Sequence, residues 1–177
     1  MPKVVLFTAT TLDGFIARPD GNLDWLIEFP NPDIVDYGYA DFMRGVGSII
    51  MGKNTYNEIL SFGFVWPYKG IESYVVASDP NFEIKTADTS LVNEGLASLV
   101  ERLRTEKGKD IWLVGGGKLI TSFLNLHLID RMVLTIIPTI IGDGIRLFPD
   151  KPKETTWALT GCTQFKTGIV NLIYDKA

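Results

Sequence analysis

The chain has 177 residues, a length that suits one domain, and its 46% hydrophobic and 21% charged content excludes a disordered chain, while 17 Gly and 9 Pro without a triplet period exclude collagen-like or linker character. A net charge of −4 leaves no basic stripe for nucleic acid, and a single cysteine, Cys162, with a single histidine, His127, supplies neither a disulfide nor a metal-binding cluster. No apolar run reaches the ~18 residues of a membrane span and the N-terminus lacks the pattern of a signal peptide, so a cytoplasmic protein with no membrane partner is expected.

Residues 4–9 (Val-Val-Leu-Phe-Thr-Ala) form a near-continuous apolar run, as in a strand buried on both faces. Thr11-Leu12-Asp13-Gly14-Phe15-Ile16-Ala17 follows. Its Asp-Gly is a turn signal at the carboxyl end of that strand, where open parallel sheets hold ligands, and by itself it reads equally well as an ordinary turn. Ile34, Tyr37, Ala40 and Phe42 or Met43 recur at roughly helical spacing, which predicts a helix over 33–44.

Residues 48–51 are a second strand, leading through Gly52-Lys53-Asn54-Thr55 into a short helix over 55–60. Lys53 and Thr55 at a helix start suit a phosphate, although Lys53 also reads as a solvated lysine. The stretch is not a P-loop: Asn54 stands where Ser or Thr must bind magnesium, and the residues between Gly47 and Gly52 are strand-like. Residues 74–77 give a third strand. Leu96, Leu99, Val100 and Leu103 mark an amphipathic helix with Gly108 just past its end.

Residues 111–114 give a fourth strand. Gly115-Gly116-Gly117 then opens a helix whose apolar face is Leu119, Ile120, Phe123 and Leu124. Three glycines let backbone N–H groups approach a ligand at the positive end of a helix dipole, which suits a pyrophosphate. The dinucleotide pattern G-x-G-x-x-G is absent, since Ile120 occupies its last position. His127 lies in the apolar run 123–129 and reads as a packing or surface residue. Residues 132–137 form a fifth strand stopped by Pro138, and 157–165 with 169–174 read as an antiparallel hairpin about Thr167-Gly168. Strands alternating with helices predict one α/β domain over 1–177, with a parallel sheet covered by helices on both faces.

Taken in order, Thr11–Ala17, Ile50-Met51-Gly52-Lys53-Asn54-Thr55-Tyr56, Val75-Val76-Ala77-Ser78, the run from Asp110 to Gly117, and the run from Leu128 through Leu134 to Pro138, Gly142-Asp143-Gly144 and Leu147-Phe148 resemble the dihydrofolate reductase superfamily. The likeness is closest to the reductase (C-terminal) domain of bacterial bifunctional riboflavin-biosynthesis deaminase/reductase enzymes and their stand-alone relatives. The deaminase domain is not expected here. The resemblance implies a dihydrofolate reductase-like three-layer α/β/α fold, with a mostly parallel sheet ending in an antiparallel hairpin, and NADPH as cofactor.

Carried over by residue, it implies that Ala9 and Ile16 flank the nicotinamide. Gly52, Lys53 and Thr55 meet phosphate groups, with Lys53 and Ser78 near the 2′-phosphate, and Gly115, Gly116, Gly117 and Lys118 cradle the pyrophosphate. The family usually has Arg at the position of Lys53. Folate reductases place a carboxylate on the helix before the second motif. That spacing points to Asp36, with Asp33 and Asp41 as rivals on the same helix. Among Tyr37 and Phe42 such an aspartate would hold a raised pKa, bind substrate and supply a proton. Thr135 would face the same pocket, and Arg18, Arg44 and Arg146 are candidates for a substrate phosphate.

The implied activity is hydride transfer to a C=N or C=O group of an aminopyrimidine or pterin-like small molecule. Reduction of 5-amino-6-(5-phosphoribosylamino)uracil in riboflavin biosynthesis is the first choice and dihydrofolate reduction the second. A non-catalytic nucleotide-binding or scaffold protein on the same fold is the alternative from another class, and a homodimer is plausible by the same resemblance.

Overall fold

The computed structural model describes residues 1–106 and 108–177. Strand β1 (Val4–Thr11) leads into a short strand β2 (Phe15–Ala17), a single turn of helix α1 (Asp24–Ile27) and helix α2 (Tyr39–Gly45). Then follow β3 (Val46–Gly52), α3 (Lys53–Ser61), β4 (Glu72–Val76), β5 (Thr89–Leu91), α4 (Leu96–Glu106), β6 (Asp110–Gly115), α5 (Gly117–Asn125), β7 (Arg131–Ile137), β8 (Ile145–Arg146), β9 (Trp157–Gln164) and β10 (Val170–Lys176).

An eight-stranded sheet has the order β5-β4-β3-β6-β1-β7-β10-β9. Its first six strands run parallel, and the β9–β10 hairpin is added antiparallel to β7. The short strands β2 and β8 pair separately. Side chains from the two faces of the central strands feed two cores. Val4, Leu6, Ile50, Ile111, Leu113 and Met132 pack under α4 and α5. Ile49, Met51, Val75 and Trp112 pack under α3 and α2, joined by Tyr56, Tyr68 and Phe42. The expected layered α/β fold is present. Among the described residues no helix is long and apolar enough to cross a membrane, and none of His, Cys, Asp or Glu gather into a metal-binding group.

One expected element is corrected. The helix over 33–44 exists only from Tyr39. Ile34 and Tyr37 have φ of 50° and 53°, left-handed values that stop an α-helix, and the Asn31 side chain bonds both the N–H and the carbonyl of Val35. The helical spacing of apolar residues here has another origin. Tyr37 packs into a cluster near the sheet's end, while Phe42 packs into the α3 core.

Candidate functional site

In a parallel sheet every strand delivers its successor loop to the same edge, and here that edge gathers both glycine-containing junctions. Met51 at the end of β3 is in register with Gly115 at the end of β6, and Gly52 with Val76 of β4. The two helix starts touch: the Gly116 N–H donates to Thr55 Oγ1 at 2.9 Å. The N-caps of α3 and α5, Gly52 and Gly116, provide no side-chain cap. Two adjacent helix N-termini therefore present first-turn N–H groups and positive dipole ends to one place. Lys53 adds a charge there, its Nζ 5.8 Å from the Phe82 ring. Ser78 is exposed two residues beyond β4, and Lys118 is exposed on the first turn of α5.

The three glycines differ in what fixes them. A Cβ on Gly117 would lie 2.5 Å from the Arg146 carbonyl oxygen and 3.0 Å from Pro149 Cδ, so the fold itself requires glycine there. A Cβ on Gly116 would meet only Thr55 Oγ1, at 3.5 Å, an ordinary contact. Gly115 has φ of 135°, a value that L side chains rarely adopt.

A second group of residues lies along the β1–β7–β10 side of the sheet. Ala9 is in register with Thr135, and Thr135 with Asn171, so the three form a row on one face. Trp25 of α1, Ile137 and Ile169 are buried together one step along, with Ala9, Leu26, Phe29, Tyr37, Ile141 and Phe165 packed around them. Asn171 Nδ2 donates to the Tyr37 carbonyl at 2.7 Å. Trp25 Nε1, Thr135 Oγ1 and Asn171 Oδ1 are buried and have no hydrogen-bond partner among the described residues. Ile16 packs on the opposite, α4–α5 side, so Ala9 and Ile16 lie against different apolar clusters.

Asp36 does not have the environment expected of it. It is exposed and precedes α2, where its carboxylate accepts the N–H groups of Ala40 (2.9 Å) and Gly38 (3.0 Å). These amides hold its carboxyl below the ordinary aspartate range, opposite to the raised value expected of a buried acid. Asp33 is also exposed, and Asp41 pairs with Arg44. Arg18 bonds Asp24 at 2.6 Å. Arg146 stacks on Phe15 at 5.4 Å, its carbonyl against Gly117, on the side of the triple glycine.

Sequence reasoning missed Trp25 and Asn171, because their place depends on strand register and on the docking of α1. It also left Asp13 as part of a turn. The Asp13 carboxylate accepts the Thr11 hydroxyl at 2.6 Å and the Gly142 N–H at 2.8 Å, fastening the β1–β2 turn to the loop after β7.

The sequence profile of the RibD C-terminal domain matches residues 2–171. The chain belongs to the RibD C-terminal domain family. Within reach of this family it is 38% identical over 175 residues to uncharacterized protein YwjB of Bacillus subtilis (strain 168), covering 99% of this chain and 98% of that protein. It superimposes on the "Putative riboflavin biosynthesis protein" of Shewanella sp. PV-4 with a TM-score of 0.89 and 31% identity, over 99% of both chains. The diaminohydroxyphosphoribosylaminopyrimidine deaminase/5-amino-6-(5-phosphoribosylamino)uracil reductase of Thermotoga maritima shares the fold, with a TM-score of 0.72 at 17% identity. That match covers 99% of this chain and 57% of the other. The family and the dihydrofolate reductase-like fold expected from the motifs are thus both established.

Proposed function

We propose that this RibD-type domain is an NADPH-dependent reductase acting on a C=N or C=O group of a small aminopyrimidine-like ring. The observation that carries the reading is the pair of touching helix starts, Gly52-Lys53 and Gly116-Gly117, with no side-chain caps and with Lys53 beside them. That donor set fits the pyrophosphate and phosphate groups of a dinucleotide. Gly52, Thr55, Gly115, Gly116 and Lys118 would hold the pyrophosphate region, Lys53 and Ser78 the 2′-phosphate, and Ala9 would border the nicotinamide. Bound there, NADPH supplies a hydride equivalent.

The chain's own contribution is binding and orientation. Thr135 and Asn171 stand in the row beside Ala9 and are suited to hold the ring that carries the reducible group. The proton that completes the reduction goes to the nitrogen or oxygen of the C=N or C=O group. Asp36 is a poor donor, being exposed and ionised at neutral pH, so in this reading the proton comes from solvent. The same observation favours riboflavin-type over folate-type reduction. From the substrate named for the Thermotoga protein, only the aminopyrimidine ring is carried over to this chain.

The test is NADPH oxidation, followed by absorbance, with a panel of aminopyrimidines and pterins. Turnover with an aminopyrimidine supports the reading. Cofactor binding without turnover on any member supports a non-catalytic protein on the same fold.

A further inference from the structure

We propose that Phe82 positions Lys53 for the cofactor's 2′-phosphate, its ring face holding the ammonium in place, so that preference for NADPH over NADH depends on Phe82 as well as on Lys53; this rests on the reductase reading above. The Lys53 Nζ lies 5.8 Å from the centroid of the Phe82 ring, inside the range of a cation–π contact. Lys53 forms no ion pair among the described residues. The aromatic face is therefore what meets the charge.

Lys53 and Tyr56 are one turn apart on α3 and so share a face of the helix. The Phe82 ring meets both. It packs edge-on against the Tyr56 ring, with centroids 5.9 Å apart and planes at 81°. Tyr56 is fully buried, and its hydroxyl accepts the Lys85 N–H at 2.8 Å and bonds Thr86 Oγ1 at 3.1 Å. The segment after β4 is thus fastened to α3 through Phe82 and again through Lys85 and Thr86. That segment also carries Ser78, and a tight turn joins Ser78 to Phe82. Asp79 Oδ1 accepts the Asn81 N–H at 2.9 Å, and the Asp79 carbonyl accepts the Phe82 N–H at 3.2 Å.

A lysine carries its charge as a point on a flexible stem, whereas a guanidinium brings its own planar fork. Holding the stem still before binding reduces the conformational entropy lost when a phosphate arrives. An aromatic face does this without competing for the charge as a carboxylate would. A phosphate reaching Lys53 therefore meets a full positive charge, at the positive end of the α3 dipole. Phe82 acts through Lys53, so its effect falls on the cofactor that carries a 2′-phosphate.

The test is a calorimetric titration of NADPH and of NADH into the parent, Phe82→Leu, Lys53→Met, the double variant, and a protein carrying pentafluorophenylalanine in place of Phe82. Phe82→Leu keeps an apolar side chain and removes the ring face, while fluorination keeps the ring's shape and takes the negative charge from its face. Both should weaken NADPH by about two- to fivefold, the scale of one exposed cation–π contact, and leave NADH unchanged. On the Lys53→Met background Phe82→Leu should change NADPH affinity no further. Phe82→Tyr retains a ring face and should bind NADPH as the parent does. Equal losses for NADPH and NADH, full NADPH affinity in the fluorinated protein, or the same loss with and without Lys53 overturns the proposal, and a selective NADPH loss in Lys53→Met then leaves the reductase reading standing. The fluorinated protein decides between these outcomes if Phe82→Leu does not fold. An unchanged NADPH-to-NADH ratio in Lys53→Met instead removes the 2′-phosphate from this place, and this proposal with it.

Discussion

Gly116 and Gly117 are neighbours with opposite constraints. Alanine at 117 drives its Cβ into the Arg146 carbonyl at 2.5 Å, which rigid backbone cannot relieve cheaply, so Gly117→Ala should destabilise the fold by roughly 1–3 kcal/mol and lower Tm. Gly116 has φ of −43° and its Cβ would make only an ordinary contact with Thr55 Oγ1, so Gly116→Ala should leave Tm near that of the parent while weakening NADPH if the proposed pyrophosphate site is right, because the methyl crowds the junction of the two helix starts. Thermal denaturation and a fluorescence titration read both effects. Full NADPH affinity in Gly116→Ala would remove the pyrophosphate from that loop. Asp36 gives a second prediction at this scale. Since its carboxylate caps α2, Asp36→Asn should keep kcat within about twofold, and a loss of about a hundredfold, the usual scale of an acid–base group, would restore it as the proton donor. Lys53 and the glycines were legible in the sequence because each strand-to-helix junction is local. The environment of Asp36 was not, because left-handed Ile34 and Tyr37 break a spacing that reads as helix.

The elements found from sequence are those with continuous patterns. β1, β3, β6 and β7 are apolar runs, and α4 and α5 carry unbroken apolar faces. β2, β5 and β8 are two or three residues long, too short to show a period, and exist through their neighbours. The β1–β2 turn depends on Asp13, which the Thr11 hydroxyl and the Ile141 and Gly142 amides hold below the ordinary carboxylate range. A carboxyl lowered by folding stabilises at pH above its unfolded value and loses that contribution as pH falls through its folded value. The protection factor of the Gly142 amide, read by NMR against the intrinsic exchange rate, should therefore be high at neutral pH, fall as Asp13 protonates below the ordinary carboxylate range, and be low at neutral pH in Asp13→Ala. Equal protection in parent and variant would show that another contact holds the loop.

For the whole molecule, alternating strands and helices dictate a parallel sheet, and a parallel sheet brings the loops after β3, β4 and β6 to one edge. That much of the candidate site, the meeting of the two glycine-containing junctions, is legible from residues alone. The strand order, the addition of β10 beside β7 and the docking of α1 are not, because they depend on where each crossover lands. The Thr135–Asn171 pair and the buried Trp25 belong to this second group. The site is thus half local motif and half long-range register.

The most direct measurement is a titration of the parent protein and Lys53→Ala with NADPH and with NADH. The account predicts saturable NADPH binding to the parent. It also predicts a loss of about ten- to a hundredfold for NADPH in Lys53→Ala, the ~1.5–3 kcal/mol of a charge-assisted hydrogen bond, with a much smaller change for NADH. No saturation of the parent by NADPH up to about 1 mM, an affinity weaker than ~4 kcal/mol, would contradict the reading of the two helix starts as a dinucleotide site.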